Sequence, residues 1–123
     1  MASRGALTVA GLLLALATVC AALGSHALRA ELTPDRLNLW DMALRYHFIQ
    51  ALGLLGIGVL LRAKSNRVLR AAATLIAAGI VLFSGSLYAL SLGAPHTIAH
   101  LTPLGGLAWI VGWLAFAWGA WHN

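Results

Sequence analysis

The sequence predicts an all-α integral membrane bundle of four transmembrane helices, with both termini on the same side. Three observations carry that prediction. Of the 123 residues, 61% are hydrophobic and only 9% charged. A soluble domain carries about 25% charged residues and could not cover its surface with so few. The apolar residues also gather in long charge-free runs, the raw material for helices that rise about 1.5 Å per residue across a hydrocarbon layer about 30 Å thick. Finally, four of the eight basic residues, Arg62, Lys64, Arg67 and Arg70, stand together between two such runs. That is the pattern of a cytoplasmic loop. It makes the net charge of +5 a topology signal and argues against nucleic acid as a partner. The lipid bilayer is the partner the composition calls for.

A single membrane domain over 1–123 accommodates these elements. The first span covers about 5–27, where Gly5 to Ser25 holds no charge. This run also has the outline of a secretory signal, with Arg4 in front and Ser25-His26-Ala27 as a loose small-x-small site. Cys20, the single cysteine, lies within it. It can form no internal disulfide and reads as a small buried hydrophobe.

The next stretch holds all three acids, Glu31, Asp35 and Asp41. Thr33-Pro34-Asp35 is a helix start. Threonine can cap free N–H groups, proline suits the first helical position, and an acid complements the positive end of the helix dipole. Two readings follow for 34–45: an amphipathic helix lying at the membrane surface with Trp40 as its anchor, or a plain outward extension of the second span. The second span itself covers about 46–62. Gly53, Gly56 and Gly58 thin it where a neighbouring helix could approach.

The basic loop occupies 62–70, and no Asp, Glu, Lys or Arg follows Arg70. Gly93, Pro95 and Pro103 divide this long remainder into a third span over about 71–92, an outer loop at 93–103 and a fourth span over about 104–121. Thr102-Pro103 repeats the earlier helix start. Trp118 and Trp121 suit an aromatic belt at the closing interface. The positive-inside rule places the 62–70 loop, and with it both termini, in the cytoplasm.

Several residue groups are candidates for chemistry. Topology puts His26, His47, His96 and His100 at or near the outer side. Neutral imidazoles bind zinc or copper, and His96 and His100 have a spacing that suits two ligands on one helical face. The plainer reading is that such histidines hydrogen-bond to backbone, water or headgroups. Gly105 and Gly106 follow a helix start, where bare N–H groups can receive an anion, or they simply allow close helix packing. Ser84, Tyr88 and Ser91 line one face of the third span beside a seam of small residues, Gly85, Ala89 and Gly93. Hydroxyls beside small residues are how membrane helices associate, so packing is favoured over a polar pathway. Ser86 points away from that face, and its expected partner is the Leu82 carbonyl one turn back. No catalytic constellation stands out, and the sequence requires no cofactor.

Three segments, "GSHAL" (Gly24 to Leu28), "FSGSLYAL" (Phe83 to Leu90) and "LTPLGGLAWIVGW" (Leu101 to Trp113), occur in this order. Together they resemble the "domain of unknown function 423" family, the YgdD-like inner-membrane proteins also grouped as UPF0382, to which transmembrane protein 256 is related. The resemblance covers nearly the whole chain. It implies a four-span bacterial inner-membrane protein of uncharacterised activity that retains its first run. One departure is visible. The family pattern Tyr-Gln-x-x-His-Ala becomes "YHFIQA" (Tyr46 to Ala51) here, with His47 and Gln50 exchanged by one helical turn. That exchange favours a structural role for the histidine over metal ligation.

The expected function is non-enzymatic: an accessory subunit of a membrane complex, or a binder of a lipid or small hydrophobic ligand. In the second case His26, Tyr46, His47, Ser84, Tyr88, Gly105 and Gly106 are the candidate contacts. An oligomeric transporter or channel, formed by a homo-oligomer, is the first alternative. A metal- or haem-binding protein using His26, His47, His96 and His100 is the second.

Overall fold

The structure is a computed structural model that describes residues 1–122. Every regular element among them is helical. Helix α1 runs Ser3–Ser25, a short α2 Ala27–Glu31, and α3 Pro34–Ala63. The third span is composite: α4 (Arg67–Gly79), a π turn (Ile80–Ser84) and α5 (Gly85–Ser91). A 3₁₀ turn (His96–His100) leads into α6 (Leu101–Trp121). Four continuous helical stretches, Ser3–Ser25, Pro34–Ala63, Arg67–Ser91 and His96–Trp121, are long and apolar enough to cross a membrane.

Local chemistry explains where the helices start and stop. Thr33 Oγ1 accepts the Arg36 N–H at 3.4 Å, with Pro34 in the first helical position. Asn66 Oδ1 accepts the Leu69 N–H at 2.8 Å to start α4, while its Nδ2 donates to the Gly119 carbonyl at 3.2 Å and ties the basic loop to α6. Helix α5 ends in a left-handed glycine. Gly93 has φ +100°, its N–H bonds the Leu90 carbonyl, and the Ala94 N–H bonds Ala89. This paired closure satisfies carbonyls the helix would otherwise leave free.

The burial pattern is that of a protein dissolved in lipid. Many large apolar side chains face outward, among them Leu12, Val59, Val81, Ile110 and Leu114. Small residues sit inside, including Ala6, Ala10, Ala17, Ala43, Ala51, Ala72 and Ala73. With hydrocarbon on both sides of the interface, helices associate through close packing and polar contacts rather than through escape from water.

Helix α1 packs along α3 and α4 along α6, and α3 meets the third span to join the two pairs. Glycines mark the tight approaches. A Cβ on Gly58 would lie 3.2 Å from the Leu7 backbone nitrogen of α1, and one on Gly53 would collide with the Trp113 ring of α6. Trp113 Nε1 also donates to Gln50 Oε1 at 2.8 Å. Gly56 meets nothing within 4 Å, so two of the three α3 glycines serve an approach. The tightest crossing is between the third and fourth spans. There Gly105 faces the Phe83 backbone and the Gly79 carbonyl, and Trp109 Nε1 donates to the Ile76 carbonyl at 3.1 Å.

Three sequence readings meet the structure at this point. Of the two readings of 34–45, the helix follows the second: α3 is continuous from Pro34 to Ala63, so the segment extends the second span outward. Trp40 is not a surface anchor. It is 4% exposed and covers Gly24 of α1. The two glycines of the Gly85–Ala89–Gly93 seam mark no close helix approach: nothing lies within 4 Å of a Cβ on Gly85, and one on Gly93 meets only the Arg36 guanidinium.

The N-terminus and the last turns of α6 lie at the end that holds the basic loop. The Met1 amine donates to the Arg70 carbonyl at 3.3 Å and to Thr74 Oγ1 at 3.2 Å, and Gly119 is bound by Asn66. The opposite end gathers α2, the start of α3 and the Gly93–His100 connection.

Candidate functional site

Toward that opposite end, three spans meet in a buried polar node. Its residues on α3 are Trp40, Ala43 and His47, spaced by about one helical turn and therefore on one face. Trp40 Nε1 donates to the Cys20 carbonyl of α1 at 3.0 Å. The Trp40 ring lies 4.6 Å from the Tyr88 ring at 58°. The Tyr88 hydroxyl is 2.9 Å from His47 Nδ1, and Ser84 Oγ donates to the Ala43 carbonyl at 2.8 Å. Hydroxyls of the third span thus bond across to α3. Ser91 bonds within its own helix, to the Tyr88 carbonyl at 2.7 Å.

His47 is 1% exposed, and its Nε2 is buried with no hydrogen-bond partner. The Leu13 carbonyl of α1 lies near the ring but does not meet hydrogen-bond geometry with that nitrogen. In either tautomer one ring nitrogen engages Tyr88 and the other is left without a partner. Such a group costs about 1–3 kcal/mol.

A groove of about 200 Å³ opens beside this ring. Leu13 and Leu16 of α1 form one wall, and Ile80 and Val81 of the π turn form the other. His47, Ser84 and Tyr88 also line it, with Gly85 at its edge. Leu16 and Val81 are largely exposed, so the groove faces the surrounding hydrocarbon. The π turn is part of its construction. One extra residue per turn widens the helix locally, and such turns recur at functional sites.

The remaining candidates disperse. Tyr46, adjacent to His47 in sequence, turns to the other side of α3, where it meets Phe83 edge-on at 5.2 Å and stacks on Trp109 at 6.0 Å. His26 is exposed at the junction of α1 and α2. His96 and His100 stand in a 3₁₀ turn. At three residues per turn, positions four apart do not share a face. Among the described residues, no three His, Cys, Asp or Glu side chains form a group that could hold a metal ion. Gly105 is filled by backbone from the third span, while a Cβ on Gly106 would meet only Phe83 Cδ2 at 3.9 Å. Ser86 bonds the Phe83 carbonyl at 2.9 Å, not Leu82, and also pairs with Thr102 Oγ1.

Sequence reasoning missed Trp40 and Cys20 as parts of the node. The available signal was helical phase, because Trp40 and His47 are seven apart. The π turn had no comparable signal.

Comparisons with known proteins agree on the kind of molecule. A family model described as "Protein of unknown function (DUF423)" matches residues 20–106. A UPF0382 membrane protein of Staphylococcus saprophyticus is 42% identical over 93 residues, covering 76% of this chain and 77% of that one. The UPF0382 membrane protein YwdK of Bacillus subtilis is 39% identical, covering 80% and 81%. The UPF0382 inner membrane protein YgdD of Escherichia coli is 31% identical, covering 80% and 76%. No solved structure matches the chain.

Proposed function

Since the chain belongs to the DUF423 family of membrane proteins, we propose that it is a non-enzymatic member that binds a small hydrophobic or lipid molecule in the groove beside His47. The observation that carries this reading is the unpartnered His47 Nε2 next to an apolar groove open to lipid. Apolar pockets with a few placed polar groups are the usual form of a small-molecule site. A ligand with an apolar chain would cover the Leu13, Leu16 and Val81 surfaces; Nε2 is enclosed behind them, so a ligand hydroxyl or carbonyl satisfies it once the ring turns toward the groove. Native mass spectrometry of the full chain extracted in gentle detergent is expected to show a retained small molecule at stoichiometric occupancy. Chain without adducts would refute the reading.

The orientation we propose places both termini in the cytoplasm. The support is the cluster of Arg62, Lys64, Arg67 and Arg70 at the end that also holds the N-terminus and the last turns of α6. Single cysteines placed at Ser65 and at Thr97, in a Cys20→Ala background, provide the check. An impermeant thiol reagent should label position 97 from outside intact cells and leave position 65 unlabelled. The reverse pattern overturns the orientation.

A further inference from the structure

A second cleft of about 460 Å³ lies on the other side of α5, at the end of the bundle away from the basic loop. Its chemistry differs from that of the His47 groove. Arg36, in the first turns of α3, and His96 of the 3₁₀ turn supply its polar rim. Leu39, Leu87 and Leu90 supply apolar walls. No carboxylate lines it. The guanidinium of Arg36 reaches over Gly93, within ordinary contact distance: a Cβ there would stand 3.6 Å from one terminal nitrogen.

We infer that this cleft binds the phosphate headgroup of an anionic phospholipid, with Arg36 as its principal contact and His96 beside it. Charge decides the sign of the ligand, since a permanent cation with no acid in the lining favours an anion. An arginine fork also matches phosphate oxygens in pairs. The walls decide between a lipid and a free anion. Leu39, half-buried, and Leu87, buried, offer nothing to inorganic phosphate but match the glycerol and first methylenes of an acyl chain. The inference does not depend on the His47 groove, which has no charged residue in its lining.

The test uses the full chain in detergent, titrated with phosphatidylglycerol or phosphatidylcholine of equal chain length and followed by native mass spectrometry. Phosphatidylglycerol is expected to bind at least about fivefold more tightly, the effect of roughly one basic residue at an anionic surface. Arg36→Gln should abolish the preference. Arg29→Gln, an exposed cation at the same end, should retain it, and so should Gly85→Leu, which fills the other groove. Equal binding of the two lipids overturns the inference. So does equal loss in Arg29→Gln, which would mean diffuse charge attraction only. Displacement of phosphatidylglycerol by inorganic phosphate at equal concentration would reassign the cleft to a free anion and overturn the lipid assignment.

Discussion

Gly105→Val is expected to loosen the third span from the fourth and to destabilise the bundle by about 3 kcal/mol, the upper part of the usual range for overpacking. The reason lies in which atoms a side chain would meet. At Gly105 they are the Phe83 backbone nitrogen and Cβ and the Gly79 carbonyl oxygen. None of these can rotate aside as a flexible side chain would. The helices must separate, and separation also breaks the Trp109 bond to the Ile76 carbonyl and the 4.6 Å contact between Trp109 and Phe83. Gly106→Ala is the matched control. Its Cβ meets only Phe83 Cδ2, at 3.9 Å, so a change under about 0.5 kcal/mol is expected. Unfolding in mixed micelles of dodecyl sulfate and a mild detergent measures both. Equal stability of the two variants would contradict the close crossing.

Trp40→Ala is the second large effect. Trp40 fills the space over Gly24, donates to the Cys20 carbonyl and packs on Tyr88. It therefore clasps α1, α3 and α5 near one end. Truncating a buried tryptophan costs about 3–5 kcal/mol in water-soluble cores. Lipid tails can refill part of the cavity, so the lower end, about 3 kcal/mol, is expected here. Trp40→Phe should keep most of the packing and lose the single interhelical hydrogen bond, about 0.6–1.7 kcal/mol. The same unfolding assay orders the variants. If alanine and phenylalanine cost the same, the indole is not packed against three helices.

Much of the architecture was legible because hydropathy and helix punctuation are local. The charge-free runs mark four apolar helices, and Thr33-Pro34 marks the start of α3. Side-chain direction was not legible in the same way. Trp40 reads as a surface anchor in a polar segment, yet it is buried because α1 offers Gly24 opposite it. That pairing spans a sequence separation no periodicity reveals. The third span shows a different failure. A uniform helical wheel correctly puts Ser84 and Tyr88 on one face, since the stretch after Ser84 is α-helical. It cannot anticipate the π turn just before, and with it the groove. Ser86 bonds Phe83 rather than Leu82, the same step of three residues that Ser91 takes to Tyr88; carbonyls three and four residues back are both within reach of a helical hydroxyl, and spacing alone does not choose between them. The histidines illustrate the same limit. His96 and His100 look like a ligand pair on an α-helix, but Gly93 and Pro95 lead into a 3₁₀ turn that parts them.

Filling the groove beside His47 tests the central reading most directly, and Gly85 is the place to do it. A Cβ there meets nothing within 4 Å, and the residue lies at the groove's edge. Leucine at this position should leave the fold intact, because leucine also favours helix over glycine by several tenths of a kcal/mol or more, up to about 1 kcal/mol. The measurement is the amount of small molecule retained by wild-type and Gly85→Leu protein after identical gentle purification, read by native mass spectrometry alongside unfolding in mixed micelles. A ligand site in the groove predicts that the variant loses most of its retained molecule while its stability is unchanged or slightly higher. Undiminished retention in a stable Gly85→Leu variant would contradict it.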